Sequence, residues 1–253
     1  MYNQFSSSYD RFVNWPARLA FELPFIDGLL KNAGAHQILD AACGTGQHVL
    51  ALAKLGYAAS GADFSSGMIE QARRNQHALG LPAEFAVAGF GELQSAFPAG
   101  AFDALLCLGN SIPHILNELD LLNALYDFAA VLKPGGLLLL QNRNFDAVLQ
   151  NGNRWMEPQT AREGSHVWTF VRFYDFLPSG LIDFNIVQLE REGGADWQQQ
   201  LLVTQLKPWT EEELLTALGE SGFGSVRLYG GLDGSDFSAE RSGNLIITAK
   251  KGS

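Results

Sequence analysis

Ile38-Leu39-Asp40-Ala41-Ala42-Cys43-Gly44-Thr45-Gly46-Gln47-His48 decides how this chain folds. An apolar run passes into a loop with two glycines, and a helix-compatible segment begins near Gln47. Short apolar runs of this kind fit strands buried on both faces. Gly44 and Gly46 have no Cβ, so the backbone can turn sharply and approach a ligand closely. The following helix points its free amides and positive dipole end at the same spot. Seventeen residues past Gly46, Asp63 closes a second strand, Tyr57-Ala58-Ala59-Ser60-Gly61-Ala62. A carboxylate at the end of a neighbouring strand can accept hydrogen bonds from both ribose hydroxyls of a nucleoside. The two features together predict a site for an adenosine-containing cofactor.

Working outward, strand and helix alternate. Strands are expected near 37–41, 57–62, 83–88, 102–108 and 136–142. Helices are expected over 46–55, 65–79 (led by Ser65-Ser66 as a cap) and 117–131. Strands separated by helices of ten to fifteen residues predict a parallel, doubly wound α/β sheet. Upstream, a helix is expected from Pro16 to about Asn32 with Phe21, Phe25, Leu29 and Leu30 on one face, preceded by a polar and aromatic segment (Tyr2, Phe5, Tyr9, Phe12). After Asn144 the pattern changes. β-rich runs at 166–176, 181–191 and 197–206, joined by Pro178-Ser179-Gly180 and Gly193-Gly194, predict an antiparallel insertion. A helix from Thr210, boxed by Glu213, to Ser221 precedes two last strands near 223–230 and 244–250. The expected organisation is one domain over 1–253. It divides into an N-terminal helical lid segment (1–35), a cofactor-binding core (36–145), a β-rich substrate insertion (146–208) and a C-terminal helix with the last two core strands (209–253).

Composition narrows the function. The chain has 17 basic and 27 acidic residues, a net charge of -10, and no Lys/Arg cluster longer than the pairs Arg73-Arg74 and Lys250-Lys251. A nucleic-acid grip needs a basic face to replace phosphate counterions, so nucleic acid is not the expected partner. The histidines (36, 48, 77, 114, 166) show no ligand spacing, and no metal is expected. Cys43 and Cys107 fall in core elements and suggest neither a disulfide framework nor a thiol nucleophile. No signal peptide and no apolar run near eighteen residues is present, which predicts a cytoplasmic protein without a membrane partner.

A dinucleotide loop would carry a third glycine where this chain has Val49. Instead D-x-x-C-G-T-G-x-H from Asp40, followed by D-x-S-x-x-M from Asp63, resembles motif I and the next acidic motif of class I S-adenosylmethionine-dependent methyltransferases. Phe102–Leu108 resembles their fourth strand, and Leu132-Lys133-Pro134-Gly135-Gly136 the turn into their fifth. The resemblance implies a seven-stranded Rossmann-like sheet in which 223–230 and 244–250 are the sixth and seventh strands, the last one antiparallel, with S-adenosyl-L-methionine as cofactor and S-adenosyl-L-homocysteine as product. It implies that Asp40, Ala42, Gly44 and Gly46 position the methionine moiety and that Asp63 takes the ribose. Phe64, Met68, Gly89, Phe90 and Leu108 complete the cofactor set, with Met68 packed on the adenine.

Two segments are similar to the glycine N-methyltransferase group: Cys107-Leu108-Gly109-Asn110-Ser111-Ile112-Pro113-His114, and Arg143-Asn144-Phe145-Asp146-Ala147-Val148-Leu149. The similarity implies that Asn110 and Arg143 hold an amino-acid acceptor, Arg143 through its carboxylate. A planar guanidinium offers the two parallel donors such a pairing needs. Arg18, 22 residues before Asp40, corresponds to the group's arginine for the methionyl carboxylate. His114 is a candidate base or pocket-closing residue. Plainer readings stand beside these: an Arg143–Asp146 ion pair, Asn110 as a turn residue satisfying its own backbone, Arg18 on the surface. The chain departs from the pattern after strand three, where Val87-Ala88-Gly89-Phe90 lacks an acidic residue. It also has Trp155 and Met156 where the group has tyrosines; Trp155, Trp168 and Tyr174 are a candidate aromatic wall for a cationic amine. The expected activity is N-methylation of a small amino acid or related amine, by a protein that can form a homo-oligomer. O- or C-methylation of another small molecule, a non-catalytic nucleoside-binding module and a nicotinamide dehydrogenase remain alternatives.

Overall fold

A computed structural model of the chain describes Asp10 and residues 13–252; Tyr2, Phe5, Tyr9 and Phe12 lie outside the described residues. Gln37–Asp40 (β1) pairs in parallel with Ala58–Asp63 (β2) on one side and Phe102–Cys107 (β4) on the other. Glu84–Val87 (β3), Leu132–Arg143 (β5), Phe223–Tyr229 (β10) and Asn244–Lys251 (β11) complete a seven-stranded sheet of order β10-β11-β5-β4-β1-β2-β3. β11 runs antiparallel to both of its neighbours. The strand order reverses between β1 and β4, and it is there, outside the carboxyl ends, that such sheets bind ligands.

Both faces of the sheet are covered, which is why its strands read as continuous apolar runs. Side chains alternate across each strand. Ile38, Leu106, Leu137, Leu139 and Ile246 pack against Trp15–Asn32 (α1), Gln47–Lys54 (α2) and Ser66–Leu79 (α3). Leu39, Leu105, Leu138, Leu140 and Ile247 pack on the other face against Leu93–Ala96 (α4), Glu118–Val131 (α5) and Glu211–Glu220 (α7). The expected capping box holds: Thr210 Oγ1 accepts from Glu213 N, and Glu213 accepts from Thr210 N. Among the described residues no helix is long and apolar enough to cross a membrane.

Three expectations need correction. β5 starts at Leu132, not near 136: the turn glycines are absorbed inside the strand by a register shift opposite Phe102 and Ala104. On α1, Phe25, Leu29 and Leu30 pack on the core as expected, but Phe21 is 57% exposed and Glu22 and Ile26 turn inward in its stead, because α1 turns a polar edge toward the cleft. After β5 the chain forms a short helix, Phe145–Asn151 (α6), and then a four-stranded antiparallel sheet. Its order is β6 (Gln159–Glu163), β7 (His166–Phe176), β8 (Ile182–Glu192), β9 (Gln198–Leu206). β6 escapes a sequence reading because Gln-Thr-Ala-Arg-Glu has no apolar alternation; only its pairing with β7 makes it a strand.

Candidate active site

The carboxyl ends of β1, β2, β4 and β5 open into a cleft of about 770 Å³. α1 lines one side through Ala17, Arg18 and Glu22; the insertion lines another through Arg172, Tyr174, Phe184, Ile186 and Leu206. A size between about 300 and 1,000 Å³ suits a small-molecule site. A more open depression under α3, about 890 Å³, is less suited: its guanidinium, Arg73, is engaged by the Phe85 carbonyl at 2.8 Å.

In the cofactor half, the loop after β1 is locked by Asp63. Its Oδ2 accepts from Gly44 N and its Oδ1 from Ser65 N, both at 2.9 Å, and burial raises its carboxyl pKa. Gly44 sits at φ 53°, in the left-handed region. Ala41, Ala42, Gly44, Asp63, Phe64, Met68, Gly89 and Phe90 all line the cleft. Met68 is buried, Phe64 is an exposed rim residue, and Phe90 rests edge-on against Phe128 at 5.6 Å. The nearest carboxylate after β3, Glu92, is engaged by Gly89 N at 3.0 Å.

Three residues expected here stand behind the lining. Asp40 is buried under the loop, where Ala42 N donates to it at 3.3 Å, and desolvation pushes its pKa up to about 6. Leu108 is core. Gly46 caps α2 at φ 79°, and a Cβ there would meet the Phe85 ring at 2.8 Å; its glycine serves packing, not ligand approach.

Arg18 faces the cleft through a network. Its Nε donates to both Glu22 oxygens at 3.0 and 3.1 Å, its Nη2 donates to Gln141 Oε1 at 3.3 Å, and it stacks over Trp15. His48 Nε2 meets Glu22 Oε2 at 2.7 Å. Burial alone would raise the Glu22 carboxyl, but the hydrogen bond from His48 and the Arg18 charge hold it below the ordinary range. Glu22 and Gln141 went unpredicted. The i,i+4 spacing of Arg18 and Glu22 is a signal for the first; the pairing of Arg18 with Gln141, 123 residues apart, has none.

On the side of the cleft expected to take the acceptor, Asn110 adopts φ 66°, donates from its N to Gln141 O at 3.1 Å, and accepts from Arg143 N on Oδ1 at 2.7 Å. It therefore pins the loop after β4 to the end of β5, and the backbone it satisfies is Arg143's. Arg143 does not pair with Asp146, which accepts from Glu211 N at 2.9 Å instead. No ion pair joins Arg143 to a carboxylate among the described residues, and its charge acts on the Tyr174 hydroxyl across the cleft. Asn142, 1% exposed, also lines the cleft, and neither its Nδ2 nor its Oδ1 has a hydrogen-bond partner. Leaving a buried polar group unsatisfied costs about 1–3 kcal/mol. The aromatic wall reduces to Tyr174. Trp155 is 63% exposed and stacks outward on Phe173, and Trp168 packs with Phe170, Ile186 and Leu202 away from the cleft.

His114 lies in a single 3-10 turn, Ile112–His114, and burial drives its pKa down to about 4. Because folding depresses this pKa, the neutral ring's contribution to stability is complete above about pH 6.5 and is lost as pH falls through about 4. Its ring NMR signals should stay flat from about pH 5 to 8, the range where ordinary histidines titrate. A midpoint near the ordinary value would contradict the buried geometry.

A family model described as a methyltransferase domain matches residues 38–136. The chain is 38% identical over 149 residues to the glycine/sarcosine N-methyltransferase of Parasynechococcus marenigrum (strain WH8102), covering 59% of this chain and 52% of that protein. With the enzyme of the same name from Halorhodospira halochloris, 36% identity extends over 58% of this chain and 55% of that one. The chain thus spans about half the length of these two relatives. The Aphanothece halophytica glycine/sarcosine N-methyltransferase matches at 34% identity over 201 residues, 74% of each chain. Among solved structures, an S-adenosylmethionine-dependent methyltransferase from Clostridium acetobutylicum ATCC 824 superposes with a TM-score of 0.79 at 17% identity, over 100% of this chain and 99% of that one.

Proposed function

We propose, from the premise that this chain belongs to the glycine/sarcosine N-methyltransferase family of S-adenosylmethionine-dependent methyltransferases, that it methylates the nitrogen of a small amine bearing a carboxylate. The observation that carries this reading is Arg143: a guanidinium in the cleft wall, held by its backbone to Asn110 and paired with no carboxylate of the chain among the described residues. A fork of parallel donors suits an acceptor carboxylate.

S-adenosylmethionine supplies an electrophilic methyl group on sulfur, and the residues present fit it. Asp63 has a second lone pair on each oxygen and would take the ribose hydroxyls, Met68 and Phe90 would offer apolar surface to the adenine, and Arg18, in the cleft wall, would hold the methionyl carboxylate. The chain's part in the reaction is placement. With the acceptor carboxylate on Arg143, the clamp would hold the amine nitrogen in line with the methyl group that S-adenosylmethionine would supply, and the methylated nitrogen would give up a proton. Alignment of this kind supplies on the order of 7–11 kcal/mol. At a pKa of about 4, His114 is neutral and too weak a base to hold that proton; its part is to close the cleft wall without adding a cation to it. The acceptor must then arrive unprotonated.

The test is methyl transfer from labelled S-adenosylmethionine to glycine, sarcosine, dimethylglycine and phenolic or polyketide acceptors without a carboxylate. Turnover of amino acids is expected. Turnover confined to acceptors without a carboxylate, or none at all with S-adenosylhomocysteine still bound, would sink the acceptor assignment.

A further inference from the structure

We infer that Glu22 is a positioning residue for the cofactor: anchored by His48, its carboxylate sets the Arg18 guanidinium so that one nitrogen is left for the methionyl carboxylate. The inference rests on Arg18 as the group that would hold that carboxylate, and it adds what readies the arginine for it. Glu22 follows Arg18 by four residues on α1, the spacing at which helix side chains meet. Both line the cleft, yet Glu22 is only 5% exposed. A carboxylate that deep is kept only where it is paired, and both of its oxygens are engaged. Arg18 Nε donates to Oε1 at 3.0 Å and to Oε2 at 3.1 Å, and His48 Nε2 lies 2.7 Å from Oε2. His48 is itself buried in the first turn of α2, its ring forming a T-shaped pair with Trp15 at 5.5 Å. Glu22 is thus held from behind and cannot follow Arg18 into other rotamers.

The constraint matters because of what it leaves of the arginine. Gln141 Oε1 accepts from Nη2 at 3.3 Å and is itself fixed by Gly109 N at 2.9 Å. The guanidinium lies over the Trp15 ring, with Cζ 5.1 Å from its centroid. Nε and Nη2 are therefore held, and Nη1 donates to no residue among those described. An arginine carries large rotamer entropy, which a loose side chain loses when it grips a ligand. A side chain already ordered in the protein does not lose it again, and affinity gains accordingly. A carboxylate behind the guanidinium would oppose a simple anion. The methionyl end of the cofactor is a zwitterion, so Glu22 repels its carboxylate and attracts its ammonium. The two charge effects oppose each other, and the order imposed on Arg18 remains.

The test is calorimetric titration of two ligands, S-adenosylhomocysteine and 5′-methylthioadenosine, the second keeping the nucleoside and sulfur but lacking the methionyl carboxylate. The proteins are wild type, Glu22→Ala, Glu22→Gln, Arg18→Ala and the double variant of Arg18→Ala with Glu22→Ala. Glu22→Ala should weaken S-adenosylhomocysteine by ~3- to 10-fold, the range for one rotamer-rich side chain ordered on binding, and leave 5′-methylthioadenosine within about twofold. Glu22→Gln should recover most of the loss, because its carboxamide oxygen still accepts from Arg18 Nε. Arg18→Ala should lose ~30-fold or more on S-adenosylhomocysteine, and adding Glu22→Ala should lose nothing further, since the two residues act as one. Equal losses on both ligands in Glu22→Ala would make Glu22 a merely structural residue, and unchanged or tighter S-adenosylhomocysteine would make it a competitor for Arg18; either result overturns the inference. An Arg18→Ala protein that binds S-adenosylhomocysteine as wild type does would overturn the assignment of Arg18 to the methionyl carboxylate, and this inference with it. No acceptor is present in any arm, so the acceptor assignment stands or falls separately.

Discussion

Arg143→Ala is expected to raise the KM for an amino-acid acceptor by ~100-fold or more, with S-adenosylhomocysteine affinity unchanged. Truncating one partner of a hydrogen-bonded charge pair costs about 2–5 kcal/mol, and about 1.4 kcal/mol is tenfold. The fold should tolerate the change. What the backbone of Arg143 contributes, its pairing with Asn244 and its N–H to Asn110, survives in any residue but proline. Arg143→Lys should recover part of the loss, because an ammonium keeps the charge and gives up the fork. Steady-state kinetics on glycine and sarcosine decide the matter: a KM that does not move would remove the carboxylate clamp.

Asp63→Ala should abolish usable cofactor binding, weakening S-adenosylhomocysteine by ~100-fold or more. Two hydrogen bonds from the ribose to a carboxylate are lost, each worth about 1.5–3 kcal/mol. The same carboxylate accepts from Gly44 N and Ser65 N, so the loop after β1 also loses its tether to β2. A melting experiment shows the effect directly. Ligand at 100 times its Kd stabilises a protein by about 2.7 kcal/mol, and at a Kd raised 100-fold the same concentration gives only about 0.4 kcal/mol. The thermal shift seen with wild type should therefore collapse in the variant. A variant that keeps the full shift would mean that the ribose is held elsewhere.

The cofactor half was readable because it is local. Strand, glycine loop, helix and the acid closing the next strand lie within about thirty residues, each specified by its own chemistry. Even there the roles needed adjusting. Gly44 and Asp63 face the cleft, whereas Asp40 and Gly46 stand behind it, one buried under the loop and the other held by Phe85. Sequence spacing marks both glycines alike, and only the Phe85 ring, brought over by β3, separates their purposes. On the side of the cleft proposed for the acceptor, the sequence named Asn110 and Arg143, which both line the cleft, but not their contacts. Asn110 and Arg143 meet across 33 positions, and the competing Arg143–Asp146 pair was equally consistent with the sequence.

By itself, then, the sequence determined the α/β class, the seven-stranded sheet with its antiparallel last strand, the inserted β lobe and the kind of cofactor. The class and the lobe follow from periodicity and turn residues, which act within one element or between neighbours; the strand count, the direction of the last strand and the cofactor follow from the resemblance carried by the short-range motifs. Only the tertiary structure decided which side chains share the cleft. It turned Glu22 and not Phe21 inward, set Trp155 outside, made β6 a strand, and left the Asn142 amide buried and unpaired. The physical reason is that adjacent strand residues face opposite ways, so a shift of one position exchanges wall for surface. That register is set by pairing between segments far apart in the chain.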